Sequence, residues 1–517
     1  MSEALAEVPH VHPNRYLNPK VRPWIDEEIW GHRLWDSQSP WLVFLEFLTV
    51  VEACLRDGHL LDPDRSRYPL YFKPAQRMYL RNVLFNNEPL MRIAEKTPHS
   101  NTAWEEWIRW MNENALGLTA GRDFSYLRAR FASFDEFAQL VGMLRRSMVE
   151  SQSNRRWTSQ FVFPFGPNAI YEDLAVNAGS GRLERQYINF GRTGELLYLM
   201  LSRSTQHAQI AEHLTRYLTA ETPWNRVLGL LQPNPDDERG RRGESYLPYQ
   251  QHPAFDRLGE DWLAVLDLRL PGFDAFPHLV TLAGFHILLY QLDVAAAFSG
   301  AGRAHMICEV VAPKKTLVRE LSSSSYVANN ALSAQAVERY VEGIAASNGW
   351  LEALADPVPF EHCRELLEHA VWWGEDYTGA SDPDDLLAEL RSQALRGHRQ
   401  HAGNVHRAYG REVGLVSKRG TNKLRYAPTD GFLKTLLFAN VPRRMEFGEF
   451  LSRLSERYGL VFGEREAEQV LSKDEHDQKA FQSNARRLEQ RLASLGLLRR
   501  LSDGCAYVEN PLARTSR

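Results

Sequence analysis

The sequence is poor in cysteine and has no uninterrupted apolar run long enough to cross a membrane. Its 517 residues include four cysteines, which lie far apart and form no CxxC pair. This pattern excludes a dense disulfide framework and fits reduced thiols. The nearest approaches to a membrane span, Trp41–Cys54 and His278–Phe298, are interrupted by Glu46, Glu52 and Asp293. Both stretches therefore predict buried helices.

A secretory signal is also missing from the N-terminus. The segment MSEALAEVPHVHPNRY has neither a basic region nor an apolar one. Together with the cysteine usage, this predicts a cytoplasmic protein that does not contact membranes. The composition, 44% hydrophobic and 24% charged, is typical of a folded protein and excludes wholesale disorder.

Common catalytic signatures are absent as well. The sequence contains no GxGxxG, Walker A, GxSxG, HExxH or protein-kinase motif, and it predicts no cofactor. The best remaining alternative is a degenerate PD-(D/E)xK-like nuclease, in which Asp293, Glu309 and Lys314 would surround a divalent metal. Val311 occupies the position two residues after Glu309 where that motif needs lysine. We therefore favour a buried strand that ends in a basic turn.

Histidines in the segment GHRQHAGNVH have a spacing that could hold a metal. His398 and His401, however, fall on the apolar face of the helix predicted around them, beside Val405. Partly buried, hydrogen-bonded histidines are the favoured interpretation. His362, Cys363 and His369 have no second cluster of ligands nearby in the sequence, so no metal site is predicted.

Charge is distributed unevenly along the chain. Residues 411–517 hold 20 Lys and Arg against 14 Asp and Glu, although the whole chain has a net charge of −4. The sharpest excess is in Arg391–Pro428, where nine basic residues accompany one acid, Glu412. Such separation is typical of a surface that binds a polyanion, although any solvated basic surface gives the same count.

The C-terminal third has the clearest pattern. Asp382-Pro383 predicts the start of a helix that reaches about Tyr409 and is followed by a hairpin at Gly414–Pro428. Three helices and a second hairpin are then predicted at Gly431–Ala439, Phe447–Arg457, Gln478–Leu495 and Gly496–Pro511, the last with an Asp503-Gly504 turn. This order is that of a winged helix. The similarity between the two hairpins predicts tandem winged-helix units.

A helical wheel separates the two faces of Gln478–Leu495. The apolar stripe comprises Phe481, Ala485, Leu488, Leu492 and Leu495. The opposite face and the two hairpins carry side chains that can donate to phosphates and base edges. The predicted nucleic-acid-binding residues are Lys479, Ser483, Arg486, Arg487, Gln490, Arg499 and Arg500, with Lys418, Arg419, Lys423 and Arg425 on the first hairpin. A purely protein-binding winged helix remains the alternative.

The fold class predicted is mainly α with small β elements (α+β), in several domains. The predicted divisions are a Trp-rich helical domain (1–150), a mixed α/β unit (151–233), a linker (234–248), a mainly helical middle domain (249–380), a helix with the first wing (381–428) and a C-terminal winged-helix domain (429–517).

The segment Asp382–Pro511 resembles the tandem winged-helix ends of large bacterial proteins, and the whole chain resembles accessory subunits encoded in anti-phage defence islands. The resemblance implies a non-catalytic subunit of a restriction-like defence assembly. Duplex DNA would bind the C-terminal third, and partner proteins would bind the N-terminal domain. The alternatives are the degenerate nuclease described above and a transcriptional regulator.

Overall fold

The computed structural model describes most of the chain from residue 25 onwards. The described ranges are 25–31, 34–63, 71–72, 75–84, 87–115, 122–146, 157–161, 171–176, 183–185, 193–234, 241–242, 247–312, 316–371, 373–418, 423–502 and 505–513.

Helices dominate these ranges. The first ten are α1 (Ile25–Trp30), α2 (Pro40–Arg56), α3 (Ala75–Leu84), α4 (Leu90–Lys96), α5 (Ser100–Asn114), α6 (Phe134–Arg146), α7 (Thr193–Ser202), α8 (His207–Thr219), α9 (Pro223–Leu230) and α10 (Pro253–Asp267), with a 3-10 turn at Ser125–Leu127. The others are α11 (Gly272–Ser299), α12 (Leu317–Ala345), α13 (Asn348–Leu354), α14 (Pro359–Val371), α15 (Pro383–Gln400), α16 (Ala402–Glu412), α17 (Asp430–Asn440), α18 (Phe447–Tyr458), α19 (Glu464–Val470) and α20 (Gln478–Ser494). The prediction of a mainly helical fold is confirmed.

Strands are short and form small, separate sheets. They are β1 (Tyr71–Phe72), β2 (Trp157–Phe161), β3 (Tyr171–Val176), β4 (Leu183–Arg185), β5 (Arg241–Arg242), β6 (Met306–Ile307), β7 (Val416–Ser417), β8 (Arg425–Tyr426), β9 (Met445–Glu446), β10 (Leu460–Val461), β11 (Leu498–Ser502) and β12 (Cys505–Val508). Within the described ranges, three sheets have two strands: β1–β5, the parallel pair β6–β10, and β7–β8. The other two have the orders β2-β3-β4 and β11-β12-β9.

Helix α11 lies at the centre of the main core. It is apolar around most of its circumference, and it packs against α2, α10, α12, α16 and α17. Its segment Asp274–Ser299 is long and apolar enough to cross a membrane, but most of it is buried inside the protein. A helix that is hydrophobic all round needs such burial on every side. It is the core helix expected from His278–Phe298.

One continuous set of buried apolar residues extends from Ile25 to Val508. It joins the N-terminal helices α1 and α2 to the middle of the chain and to the C-terminal unit. The domain boundaries drawn from the sequence stay predictions. The predicted linker, residues 234–248, lies mostly outside the described residues.

A second core holds α3 to α6 together with the end of α9. Trp104 and Trp107 are buried in it, and the Trp107 indole Nε1 donates to Asn87 Oδ1 at 2.7 Å. Trp110, on the same helix, packs at its edge. The helical spacing of these tryptophans thus reflects packing in this core.

Several element bounds agree with the sequence, and two do not. Asp382 caps α15 by accepting from the backbone N–H groups of Asp384 and Asp385, and Pro383 is the first helical residue. The helix expected to continue to Tyr409 breaks at His401 and restarts as α16. The buried strand expected around Glu309 is shorter: β6 ends at Ile307, where its pairing with β10 ends.

Helices α2 and α7 approach each other closely at Gly194. Glu46 Oε2 accepts from the Gly194 N–H and from Gln38 Nε2, both at 2.8 Å. A Cβ atom at Gly194 would lie 2.5 Å from Glu46 Cβ and 2.6 Å from the Phe47 nitrogen and the Val43 oxygen. Only glycine fits this contact without displacement of the α2 backbone.

We expect Gly194→Ala to lower the melting temperature, with a cost of about 1–3 kcal/mol from overpacking. Gly343→Ala is the control, because Gly343 is exposed inside α12 and an added methyl group there meets nothing within 4 Å. The control should be neutral or stabilising by about 0.5–1 kcal/mol. Equal melting temperatures for the two variants, measured by calorimetry, would contradict the close contact.

Candidate nucleic-acid interface

Helix α20 is anchored through one face. Its N-cap Asp477 accepts from the Ala480 N–H at 3.0 Å, and Phe481, Leu488 and Leu492 are buried. The apolar stripe expected from the sequence is thus present in these three positions. The prediction that Leu495 belongs to this buried stripe is wrong, because α20 ends at Ser494 and the Leu495 side chain is exposed.

Asn484 is a buried anchor that the sequence pattern did not predict. Its Oδ1 accepts from the Val310 N–H at 2.8 Å, and its Nδ2 donates to the carbonyls of Cys308 and Phe462, both at 3.0 Å. These bonds satisfy the backbone of the segments that follow β6 and β10, since that backbone is buried. Its position in the sequence indicates this burial, since Asn484 lies three residues after Phe481 and four before Leu488 on the apolar stripe.

The opposite face of α20 points away from the protein. Lys479, Ser483, Arg486 and Gln490 are exposed. Arg487 is half-buried, and its Nη1 donates to Ser483 Oγ at 2.9 Å. The structure therefore places four of the five predicted helix residues in solvent and holds the fifth against the helix.

A three-stranded antiparallel sheet follows α20. Strand β12 pairs with β11 on one side and with β9 on the other, and β9 precedes α18 in the chain. Arg499 and Arg500 on β11 are exposed, and Arg500 Nε lies 3.5 Å from Glu489. The predicted Asp503-Gly504 turn lies outside the described residues. We name the exposed residues of α20 and β11 the basic surface: Lys479, Ser483, Arg486, Gln490, Arg499 and Arg500.

The first hairpin differs from the second. Lys418 and Lys423 are exposed, and Arg419 lies outside the described residues. Arg425 is buried, with 2% of its side chain exposed, and its Nε donates to Glu309 Oε2. Arg425 thus lies inside the protein and not on the surface where the sequence analysis placed it. Its burial in the core is set by tertiary packing, which the charge count could not reveal.

Glu309 holds two arginines and is itself fully buried. Its Oε1 accepts from Arg319 Nε at 2.8 Å, and its Oε2 accepts from Arg425. Both oxygens are therefore engaged in ion pairs and closed to solvent. Asp293 pairs with Arg257, and Lys314 lies outside the described residues. Within the described ranges, no three His, Cys, Asp or Glu side chains come together as a metal site.

Each of the three histidines in the 398–406 segment has its own partners. His398 is buried, with Asp26 at 2.9 Å and Ser333 at 3.0 Å. His401 is half-buried, 3.3 Å from Asp36. The prediction of hydrogen-bonded histidines on the apolar face is confirmed for these two residues.

His406 is buried within a chain of hydrogen bonds. The Tyr426 hydroxyl accepts from Asn329 Nδ2 and lies 2.9 Å from His406 Nε2, while His406 Nδ1 is 3.2 Å from Asn330 Oδ1. This set of partners suits a neutral imidazole that donates through Nδ1 and accepts from the tyrosine. Burial lowers the pKa of His406 to about 3.

The fold and the basic surface define a mainly helical protein with a C-terminal unit built on a three-stranded sheet. Residues 385–509 match a family model described as methylation-associated defense system protein MAD7. The matched segment is less than half of the chain, but it includes the entire basic surface. This similarity supports an anti-phage defence-island protein. No curated protein and no solved structure matches the chain.

Replacing Glu309 with alanine should destabilise the protein by about 3–5 kcal/mol, because Arg425 would stay buried without its carboxylate partner. The measurement is the melting temperature of the purified variant. Glu468→Ala, at an exposed position of α19, is the control and should change stability by no more than about 0.5 kcal/mol. If both variants melt like the wild type, Glu309 does not have this structural role.

Stability should also decrease as the pH falls from about 6.5 towards 4. Burial lowers the pKa of His252 and of His278 to about 4, as it does that of His406 to about 3. The unfolded chain takes up these protons near pH 6.5, whereas the folded chain does not, so each histidine costs up to about 1.4 kcal/mol per pH unit. Melting temperatures between pH 7.5 and 5 measure the slope.

His406→Gln should make this pH slope shallower, since the glutamine cannot titrate and can still accept from Tyr426. His369→Gln, at an exposed position of α14, should leave the slope unchanged. A wild-type slope in His406→Gln would mean that the histidine does not resist protonation in the folded state.

Proposed function

We propose that this chain is a non-catalytic, duplex-DNA-binding subunit of a defence system. In this proposal α20 is the recognition helix, and β11–β12 is the wing of a C-terminal winged helix. Recognition helices of this class enter the major groove, where arginine, lysine, glutamine and serine can reach base edges and phosphates.

The observation that carries the proposal is the two-faced character of α20. One face is fixed to the core by Phe481, Asn484 and Leu488, and the other presents Lys479, Arg486 and Gln490 to solvent. A rigid helix with free donors on its outer side can enter a groove without local unfolding. The order of α17, β9, α18, α20, β11 and β12, with β9 pairing on β12, supports the winged-helix assignment.

Charge supports the same assignment. Residues 479–500 include six Lys and Arg and one acid, Glu489. Neutralisation of phosphates by such residues releases counterions from DNA, which makes affinity steeply salt-dependent. Lys418, Arg419 and Lys423 of the first hairpin are proposed as additional backbone contacts, and Arg425 is left out because it is buried.

The N-terminal helices are proposed to dock partner proteins of the assembly. Met91 and Met143 are exposed, and Gly142 places α6 close to the Met91 sulfur. Methionine is favoured at adaptable binding surfaces because its side chain is flexible and polarizable. The second core gives this part of the chain a rigid base for such contacts.

Replacing Arg486 and Arg499 together with alanine should weaken duplex binding. The slope of log affinity against log salt should fall by about 0.9 for each phosphate that the variant no longer neutralises. Removal of a direct hydrogen bond to a base should cost about 1–3 kcal/mol. Folding should be unaffected, because both side chains are exposed. Fluorescence anisotropy with a labelled duplex, titrated at several salt concentrations, measures both quantities.

The matched control is Arg92→Ala with Arg109→Ala, which removes the same charge from exposed positions of α4 and α5. It should bind duplex DNA as the wild type does. If the Arg486/Arg499 variant and the wild type give the same salt curves, or if the wild type binds no duplex at low salt, the proposal fails.

A further inference from the structure

One segment of the chain carries a large excess of negative charge. Residues 348–390, which include α13, α14 and the first turns of α15, hold eleven Asp and Glu against one basic residue, Arg364. The rest of the chain is therefore net positive, since the whole protein has a net charge of −4. The segment is the acidic counterpart of the basic surface.

Large apolar side chains are exposed within this acidic segment. Leu351 is 54% exposed and Val358 is 55% exposed, and Leu354 lies one helical turn after Leu351 and is also exposed. The other side of α13 is fixed in the core by Trp350 and Ala353. We name Leu351, Leu354, Val358, Glu352 and Glu365 the acidic surface. Apolar residues grouped within a polar rim are typical of a protein contact.

The basic surface has an apolar neighbour of its own. Leu501 on β11 is 54% exposed and follows Arg499 and Arg500 in the strand. Each surface thus combines exposed apolar side chains with charged ones, which are acidic on one surface and basic on the other. Such a pair can bury apolar area while opposite charges fix the register.

The two surfaces cannot meet within one molecule, because α12 separates them. Val318, in the first turn of α12, shares a small core with Phe481 of α20. Helix α13 begins three residues after the other end of α12. With 29 residues, α12 is about 43 Å long at the usual helical rise. The acidic and basic surfaces therefore lie near opposite ends of a rigid rod.

We propose that the acidic surface binds the basic surface of a second copy of this chain, so that copies associate head to tail. Because the contact joins two different patches, every assembly keeps one free surface of each kind at its two ends, and association can continue into chains. The inference does not depend on DNA binding. It goes beyond the proposed function by assigning a partner to α13 and α14.

The experiment is sedimentation velocity on the full-length protein without DNA, over a range of concentrations at low and at high salt. The wild type should form species larger than the 59.3 kDa monomer at low salt. High salt should lower the association constant at least about tenfold, because exposed charges are screened. The proposal is wrong if the wild type stays monomeric at every concentration, or if its association constant does not change with salt.

Two variants each remove one surface. Leu351→Lys with Val358→Lys alters the acidic surface, and Arg486→Glu with Arg499→Glu alters the basic surface. All four residues are exposed, so both variants should keep the wild-type melting temperature and stay monomeric. An equimolar mixture should form a 1:1 dimer and nothing larger, because one intact acidic surface and one intact basic surface remain.

This mixture distinguishes head-to-tail contact from other arrangements. A mixture that stays monomeric, or variants that associate like the wild type, overturns the proposal. Duplex binding by the Leu351/Val358 variant is measured separately and should be no weaker than that of the wild type, because the variant keeps its basic surface and no second copy competes for it. A wild type that binds no duplex would thus count against the proposed function and not against the association.

Discussion

The position of the C-terminal unit depends on one buried carboxylate. Asp261, in α10, accepts from His286 Nε2 at 2.7 Å, from the Tyr458 hydroxyl at 2.6 Å and from Arg457 Nη2 at 2.6 Å. Burial alone would raise the pKa of Asp261, but hydrogen bonding to His286 and the charge of Arg457 lower it. A buried carboxylate without these donors would cost several kcal/mol. His286 lies on α11, and Arg457 and Tyr458 lie on α18, so the Asp261 carboxylate fixes α18 against the core. The three-stranded sheet and α20 belong to the same C-terminal unit as α18 and are oriented with it.

Local sequence signals located the elements of the basic surface well. The predicted bounds of α17, α18 and α20 differ from the observed ones by one residue at most, because N-caps and apolar periodicity act within one or two turns. The same signals failed where the structure of a segment depends on contacts with residues distant in the sequence or on the exact end of a helix. Leu495 continues the periodicity of α20, but the helix has already ended. Strand β9 has two residues and pairs with β12, which lies far along the chain.

Charge was harder to interpret than periodicity. Arg425 belongs to a basic run, and nothing in that run separates it from Lys423, which is exposed. The difference comes from Glu309, 116 residues earlier in the sequence, which the fold places beside Arg425 and Arg319. Glu309 resembled a metal ligand in the sequence because nothing there identified Arg319 and Arg425 as its partners. Ion pairs between distant residues are set by tertiary contacts, so the same carboxylate can suggest catalysis in a sequence and serve packing in the fold.

Helix α12 links the two surfaces for which we propose partners. It is anchored near its start through Val318 and along its length by Asn329 and Ser333, which bond to Tyr426 and His398. A rod held at these points cannot bend enough to bring its ends together. If the basic surface binds both duplex DNA and a second copy, the two ligands compete for it, since both require Arg486 and Arg499. The acidic surface would repel phosphates, so it would stay available for another copy while DNA is bound. Copies bound to DNA would then expose an unpaired acidic surface. Salt would weaken both DNA binding and self-association, so the ratio of DNA-bound to self-associated protein would depend on salt less than either affinity does.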